Sequence, residues 1–320
     1  MTGPDARPWL RPLGGTGLTV SAVCAGGAVL GSMPEAFGYE VPRDRAVDTV
    51  RRVLAGPINF LDTSNDYGAG ESERRIGAAL AEQGGLPDGF VLASKVDPGP
   101  DGDFSGARVR ASLEESLERL GLSRLPLLHL HDPERMDFGH ATAPGGPVDT
   151  LVELRREGLV DHIGVAGGPA PLMRRYVETG VFEVLITHNR WTLVDRSAGE
   201  LIDDAHARGM AVVNAAVFGG GVLARGTART TSYAYRPAPL EVLGRIREME
   251  RVCARHGVPL AAAALQFSLR DPRIASTVVG FSRPERVDET LRHASWPVPR
   301  DLWDELEPLA APRRYWLDGG

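Results

Sequence analysis

Short, continuously apolar runs alternate along the chain with longer amphipathic ones. Eight of these runs have the length and composition of strands. Because they are apolar throughout rather than at every second position, they predict parallel strands covered on both faces. The runs are 22–29, 58–64, 90–96, 125–131, 162–167, 183–189, 211–217 and 275–280. Helical patterns lie between them, among them 44–54, 106–121, 149–158, 199–209 and 284–294.

Eight strand–helix units over 320 residues predict an α/β fold, a (β/α)8 (TIM) barrel, in a single domain spanning 1–320. A doubly wound sheet is the structural alternative, but no G-x-G-x-x-G motif follows the first strand. Three segments fall outside the eight units. Residues 9–23 predict an N-terminal hairpin, 218–238 a loop, and 299–309 an additional C-terminal helix.

Charge and composition narrow the possible partners and the compartment. A net charge of −6 without a basic patch disfavours binding to nucleic acid. No run approaches the ~18 apolar residues of a membrane span, and the first residues do not have the pattern of a signal peptide. Cys24 and Cys253 have no metal-like spacing and fit a reducing compartment. We therefore expect a cytoplasmic protein, with its oligomeric state left open.

Ionisable side chains follow three neighbouring strands of the expected barrel, at the end where catalytic groups gather in this fold. Asp62 ends the second strand and leads to Tyr67, Lys95 lies at the end of the third, and His131 ends the fourth. An aspartate there is often a turn former, and a lone tyrosine or histidine usually packs. A buried ammonium without a partner is costly, so we expect Lys95 to pair with Asp62 on the adjacent strand.

Taken together, these motifs resemble a known family. "GPINFLDTSNDYGAGESERRIGAAL", "LASKV", "LHLHDPE" and "VVGFSRPERVDETL" are similar to segments of the aldo-keto reductases, which fold as (β/α)8 barrels. The chain is most similar to their sugar-oxidising branch, which includes D-threo-aldose and L-fucose or L-galactose dehydrogenases. The resemblance implies hydride transfer between a nicotinamide cofactor, NADP(H) or NAD(H), and an aldehyde, a ketone or an aldose.

The resemblance also assigns roles to the four ionisable residues. Tyr67 would be the general acid in reduction and the general base in oxidation, and a neighbouring Lys95 ammonium would lower its pKa by favouring the phenolate. Asp62 would hold Lys95 in place and charged. His131 would form a hydrogen bond to the substrate oxygen and orient it for hydride transfer.

For the cofactor, the resemblance indicates a glycine-rich loop after the seventh strand and a segment after the eighth. Arg286 falls where the family grips a 2′-phosphate, whereas Gly280 replaces a lysine that is frequent in NADPH-using members, so the choice between NADP and NAD stays open. The expected cofactor residues are Asn189, Phe218, Gly219, Gly220, Gly221, Leu223, Gly280, Arg283, Arg286, Glu289 and Thr290.

The chain departs from the family pattern where members hold the nicotinamide. Ala166 and Gly167 replace a Ser-Asn pair, Leu185 falls at a glutamine position, and Ala215 replaces a stacking tyrosine. What clamps the carboxamide is therefore open. Substrate selection is expected from loops 29–41, 132–147 and 222–238, and the aromatic residues expected to contact substrate are Phe37, Tyr39, Trp191, Tyr233 and Tyr235.

Three other functions compete with this interpretation. A cofactor-binding barrel without turnover would have no reason to keep the proton donor Tyr67. A lysine-based aldolase would need a neutral amine at Lys95, which a neighbouring Asp62 opposes. His129-x-His131 followed by Asp132 could bind a metal in a hydrolase, but the later strands lack further ligands. We expect no metal, with His129 filling the barrel interior.

Overall fold

In a computed structural model of the chain, which describes residues 8–319, eight parallel strands close into a barrel. The expected (β/α)8 barrel is confirmed, although the ends of the expected 1–320 domain, including the first seven residues, lie outside the described residues. Each strand pairs with the next along the chain, and the last pairs with both the first and the seventh. The barrel strands are β3 (Val23–Gly26), β4 (Phe60–Asp62), β5 (Val91–Val96), β6 (Leu125–His131), β7 (Val160–Gly167), β8 (Val184–His188), β9 (Ala211–Ala215) and β12 (Ile274–Gly280).

Helices surround the barrel, and those expected from the amphipathic pattern begin and end within two residues of the expected bounds. The helices are α1 (Pro34–Phe37), α2 (Arg43–Leu54), α3 (Glu71–Glu82), α4 (Gly106–Leu120), α5 (Phe138–Thr142), α6 (Pro147–Arg156), α7 (Ala170–Glu178), α8 (Gly199–Ala207), α9 (Val222–Arg225), α10 (Leu240–Arg255), α11 (Leu260–Leu269), α12 (Pro284–Ala294) and α13 (Arg300–Leu306). In the range that the structure describes, no helix has the length and apolar composition of a membrane span.

The barrel strands bury side chains on both faces, which explains their uninterrupted apolar runs. Phe60, Val91 and Leu127 belong to a cluster inside the barrel, whereas Leu61 and Leu92 belong to the larger core between the strands and the helices. Successive residues of a strand therefore contribute to different cores, as the strand period of two requires.

The N-terminal hairpin closes the bottom of the barrel. Its strands, β1 (Leu10–Pro12) and β2 (Thr19–Ser21), pair antiparallel just before β3 begins. Leu13 and Val20 are fully buried in the same cluster as the interior strand residues. With this end plugged, the opposite end, where the strands terminate, is left for ligands.

Segment 218–238, expected to be a loop, contains regular structure. A 3-10 turn at Gly219–Gly221 and helix α9 lead into a small hairpin of β10 (Ser232–Tyr233) and β11 (Arg236–Pro237). Ala234 and Tyr235 connect its strands with φ of 50° and 64°, left-handed values that non-glycine residues rarely adopt. The sequence lacks the Asn-Gly signal of such a turn, so the hairpin could not be recognised from it. The expected C-terminal helix is present as α13 and the 3-10 turn that follows it.

Candidate active site

Asp62, Lys95 and Tyr67 form one connected group at the open end of the barrel. Asp62 is the last residue of β4, Lys95 lies in β5, and Tyr67 follows β4. The expected ion pair is present, with Lys95 Nζ 2.7 Å from Asp62 Oδ2. The ammonium also donates to the Tyr67 hydroxyl at 3.1 Å and to the carbonyl of Thr63 at 2.6 Å. Three acceptors thus fix a buried cation directly beside a phenol.

The electrostatics of Tyr67 differ in one respect from the expectation. Burial raises the pKa of Tyr67 above its ordinary value, and the Lys95 ammonium offsets only part of that rise. Lys95 therefore acts in the expected direction, but desolvation of the phenolate outweighs it. Burial also lowers the pKa of Lys95, but Asp62 and Tyr67 raise it by more, so the amine is protonated at neutral pH.

His131 lies on the other side of Tyr67 and contacts two residues that sequence reasoning missed. The rings of Tyr67 and His131 meet edge to face, with centroids 5.7 Å apart. His131 Nδ1 is 2.6 Å from Asp97 Oδ1 and 3.1 Å from Ser64 Oγ. Both partners are fully buried. A signal existed in the sequence, because Ser64 and Asp97 follow Asp62 and Lys95 by two positions and thus continue the same strand faces.

A cavity of about 770 Å³ extends from this group across the mouth of the barrel. The glycine turn after β9 forms one wall, and the segment after β12 forms the far end. A Cβ on Gly219 would overlap the ring of Tyr233, and one on Gly221 would lie 2.7 Å from the guanidinium of Arg225. Bare backbone next to a cation suits a phosphate group, so this wall fits a dinucleotide.

Comparison with known proteins gives the same assignment. The profile of the Aldo/keto reductase family matches residues 22–311. The chain is 33% identical to D-threo-aldose 1-dehydrogenase of a Pseudomonas species over 91% of this chain and 94% of that protein. It is 32% identical to L-galactose dehydrogenase of Arabidopsis thaliana over 88% of this chain and 86% of that protein. The chain belongs to the aldo/keto reductase family.

Two further comparisons agree with this assignment. Pyridoxal 4-dehydrogenase of Microbacterium luteolum is 30% identical over 92% of this chain and 96% of that protein. The holo form of an aldo-keto reductase from Bacillus halodurans superposes with a TM-score of 0.76, covers 95% of this chain and 97% of its own, and at 21% identity supports the fold. The protein is an oxidoreductase of this family, and its cofactor is NADP(H) or NAD(H).

Most of the residues expected to bind the cofactor line the cavity. Arg286 and Glu289 face each other at its far end, with Arg286 Nη1 2.8 Å from Glu289 Oε2. The lining residues from the expected cofactor set are Asn189, Phe218, Gly220, Gly221, Gly280, Arg283, Arg286, Glu289 and Thr290. Arg225, which the sequence did not single out, also lines the wall. Its donors are directed towards the glycine turn by helix α9.

Two expected cofactor residues do not line this cavity. Leu223 is fully buried in the core formed by α9, α10 and α11. Gly219 is also buried, with φ of 56°, and accommodates the ring of Tyr233 rather than a ligand. Both residues support the turn from the side that faces the core, because only Gly220 and Gly221 of the 3-10 turn line the cavity.

The aromatic residues expected to contact substrate divide into two groups. Phe37, Tyr39 and Tyr235 line the cavity and form a roof, with the Phe37 ring 6.3 Å from each of the other two. Trp191 and Tyr233 do not line it, contrary to expectation. Trp191 packs on Phe267, with ring centroids 5.6 Å apart.

Tyr233 is a structural anchor for this roof. Its hydroxyl donates to the carbonyl of Asn189 at 3.1 Å and lies 2.8 Å from Thr192 Oγ1. It therefore ties the small hairpin to the segment after β8. A buried phenol with two partners satisfies its own hydroxyl, which leaves it unavailable to substrate.

The departures from the family pattern lie where the nicotinamide is expected. Ala166, Gly167 and Ala215 line the cavity. Leu185 does not, because it faces the outer core, whereas its neighbour Ile186 and also His188 face the cavity. Burial lowers the pKa of His188 to about 4, so this ring is neutral at physiological pH.

The histidines do not form the metal site weighed from the sequence. His129 is fully buried, burial lowers its pKa well below the ordinary value, and the ring fills space left by Gly164 on the next strand. A different set of ligand-type atoms, from Asp132, Glu134 and His188, lies within 4.8 Å of one another. Glu134 in this set already accepts a hydrogen bond from the Gly168 amide.

Proposed function

We propose that the protein transfers a hydride between nicotinamide and the carbonyl or alcohol carbon of an aldehyde, a ketone or an aldose, with Tyr67 as general acid and base. The observation that carries this proposal is the ammonium of Lys95, held 2.7 Å from Asp62 and 3.1 Å from the Tyr67 hydroxyl. A hydroxyl beside a fixed cation releases its proton more readily during a reaction than an equally buried phenol without that cation does.

In the reduction direction Tyr67 gives its proton to the substrate oxygen, and Lys95 stabilises the negative charge that develops on the phenolate. The pKa of Tyr67, raised by burial, keeps the hydroxyl protonated at neutral pH and ready to donate. His131 contacts the same oxygen and orients it. In oxidation the same groups act in reverse, with Tyr67 accepting the proton of the alcohol.

The cofactor supplies or accepts the hydride when it is bound, which no side chain can do. The glycine turn with Arg225 would hold its pyrophosphate, and Glu289 and Thr290 its adenine. Arg286 would hold a 2′-phosphate, so we expect NADPH to be accepted. Gly280 offers no second cation, and Arg286 is already paired with Glu289, so the preference over NADH should be small.

The rival functions fit the site less well. The ion pair with Asp62 keeps Lys95 protonated, which opposes Schiff-base chemistry in an aldolase. A barrel retained only for cofactor binding would not need Tyr67, Lys95 and His131 in contact with one another. Both cysteines are free and buried, which supports the reducing, cytoplasmic compartment that we propose.

The test combines cofactor binding and turnover. Purified protein is titrated with NADPH and with NADH by fluorescence, and a panel of aldehydes, ketones and aldoses is then assayed in both redox directions. Tyr67→Phe should keep cofactor binding and lose at least about a hundredfold in kcat. Tyr176→Phe is the matched control, since this buried hydroxyl has no hydrogen-bond partner among the residues described. Failure to bind either nucleotide, or full activity in Tyr67→Phe, would overturn the proposal.

A further inference from the structure

Asp97 is a buried carboxylate at the mouth of the barrel, directly after β5, and three donors converge on it. The Ser64 hydroxyl donates to Oδ2, and the Asp66 amide donates to the same oxygen at 3.1 Å. His131 Nδ1 approaches Oδ1 at 2.6 Å. Asp97 does not line the cavity, so it can reach a substrate only through one of these partners.

The direction of these hydrogen bonds fixes the protonation of His131. The proton of the Ser64 hydroxyl is committed to Asp97, so Ser64 Oγ can only accept from the imidazole. Asp97, stabilised by its donors, is ionised. Burial raises its pKa, but His131 and the hydrogen bonds lower it by more. Nδ1 of His131 must therefore carry a proton, and Nε2 is the ring nitrogen left for the cavity.

We propose that Asp97 is a positioning residue that holds His131 through Nδ1, so that Nε2 meets the substrate oxygen as a hydrogen-bond donor during reduction, while Tyr67 transfers the proton. This inference rests on the proposed function. With Nδ1 already protonated, Nε2 can donate only from the doubly protonated imidazolium, and the carboxylate of Asp97 stabilises that cation.

The surroundings of His131 favour its cationic form on balance. Burial lowers the pKa of His131, but Asp97 and Asp132 raise it by more, so the result lies above the ordinary value. Asp132 Oδ1 lies 3.7 Å from Nε2. The Lys95 ammonium opposes the charge, and Arg135 approaches Asp97 Oδ1 to 3.8 Å. The titratable or charged groups around the ring are thus Asp66, Tyr67, Lys95, Asp97, His129, Asp132, Arg135 and His188.

The first arm of the test does not depend on turnover. Protein with 15N-labelled histidine is titrated by NMR, and His131 is assigned by loss of its signals in His131→Asn. We expect Nδ1 to stay protonated across the titration and Nε2 to titrate above the ordinary histidine range. In Asp97→Asn the pKa of His131 should fall. A wild-type ring that carries its single proton on Nε2 would overturn the inference, even if the protein proved to be an active reductase.

The second arm measures steady-state kinetics on the carbonyl compound that the wild type reduces fastest. Asp97→Asn should lower kcat about ten- to hundredfold, the loss of one charge-assisted hydrogen bond, with little change in KM. The alkaline limb of the kcat profile should move to lower pH. Ser64→Ala is the matched control, because it removes a donor but keeps the carboxylate. Its kcat should fall by less than that of Asp97→Asn.

A double variant separates action through His131 from a general structural effect. If Asp97 acts through the imidazole, adding Asp97→Asn to His131→Asn should cost no further activity. Independent, additive losses would contradict the inference, and so would full activity in Asp97→Asn. Should Asp97→Asn fail to fold, the wild-type titration and the pKa of His131 in Ser64→Ala still decide the question, since both report the ring directly.

Discussion

Replacement of Lys95 by methionine tests the electrostatic part of the proposed mechanism. Methionine fills a similar volume without charge. At 3.1 Å and an effective dielectric constant of about 20, the attraction between the ammonium and a full phenolate is ~5 kcal/mol, of which Asp62 offsets a part. If about half the proton has moved in the transition state, the variant loses ~2–3 kcal/mol, which is roughly 30- to 150-fold in kcat/KM.

The equilibrium constant of the reaction does not depend on the enzyme, so, if the variant binds the reduced and oxidised nucleotide as the wild type does, the loss in kcat/KM must be the same for reduction and oxidation at one pH. Both directions are therefore assayed at pH 8. Tyr67→Phe should cause a smaller loss of kcat/KM on the Lys95→Met background than in the wild type, because the two groups act as a unit. A folded Lys95→Met variant with less than about a fivefold loss would refute the reasoning.

The same variant leaves the carboxylate of Asp62 buried without its cation. Asp62 is 4% exposed, and its Oδ1 has no hydrogen-bond partner among the residues described. An unpaired buried charge costs about 3–5 kcal/mol of stability. The double variant Asp62→Asn/Lys95→Met should recover much of the unfolding temperature but none of the activity. This pattern separates lost catalysis from lost folding.

Three further outcomes follow from the geometry. Arg286→Ala should raise KM for NADPH about three- to tenfold and leave KM for NADH nearly unchanged, whereas Arg292→Ala, exposed on the same helix, should change neither. Equal effects on the two nucleotides would contradict a 2′-phosphate contact. Tyr233→Phe should lower the free energy of unfolding by about 1–2 kcal/mol, because its hydroxyl no longer holds the Asn189 carbonyl, and scanning calorimetry measures the drop. The kcat/KM of alcohol oxidation should rise about tenfold per pH unit from pH 6 to 9, because the raised pKa of Tyr67 keeps the phenolate scarce in this range. A plateau of kcat/KM near pH 7 would argue against Tyr67 as the base.

The sequence was sufficient for the barrel because its signal is redundant. Each strand is an apolar run of about the right length, and a misjudged boundary moves only one end. It was insufficient to say which face of a strand turns inward, because strands buried on both sides show no alternation. Leu185, for example, falls at the family's glutamine position but faces the outer core, and its neighbour Ile186 faces the cavity.

Loop residues were harder to assign for a different reason. An aromatic residue has the same appearance in a sequence whether it contacts a ligand or anchors a loop. Tyr235 lines the roof of the cavity, whereas Tyr233, two positions earlier in the same hairpin, points into the core. Asp97 was not among the expected site residues. It begins the segment "DPGP", which is typical of a turn, and turn-forming residues are common after strands.

The stagger of the barrel would nevertheless have revealed Asp97. Asp62 is in register with Ala93, so its ion pair with Lys95 runs diagonally between β4 and β5. Two residues further along each strand, the side chains lie on the same face and are paired along the same diagonal. This step leads from Asp62 and Lys95 to Ser64 and Asp97, which form a hydrogen bond. Lys95 is in register with His129 on β6, and the same step places Asp97 opposite His131. The reasoning that paired Lys95 with Asp62 therefore also predicts the contacts among Ser64, Asp97 and His131. The same reasoning can be applied wherever an ion pair crosses two parallel strands of known register.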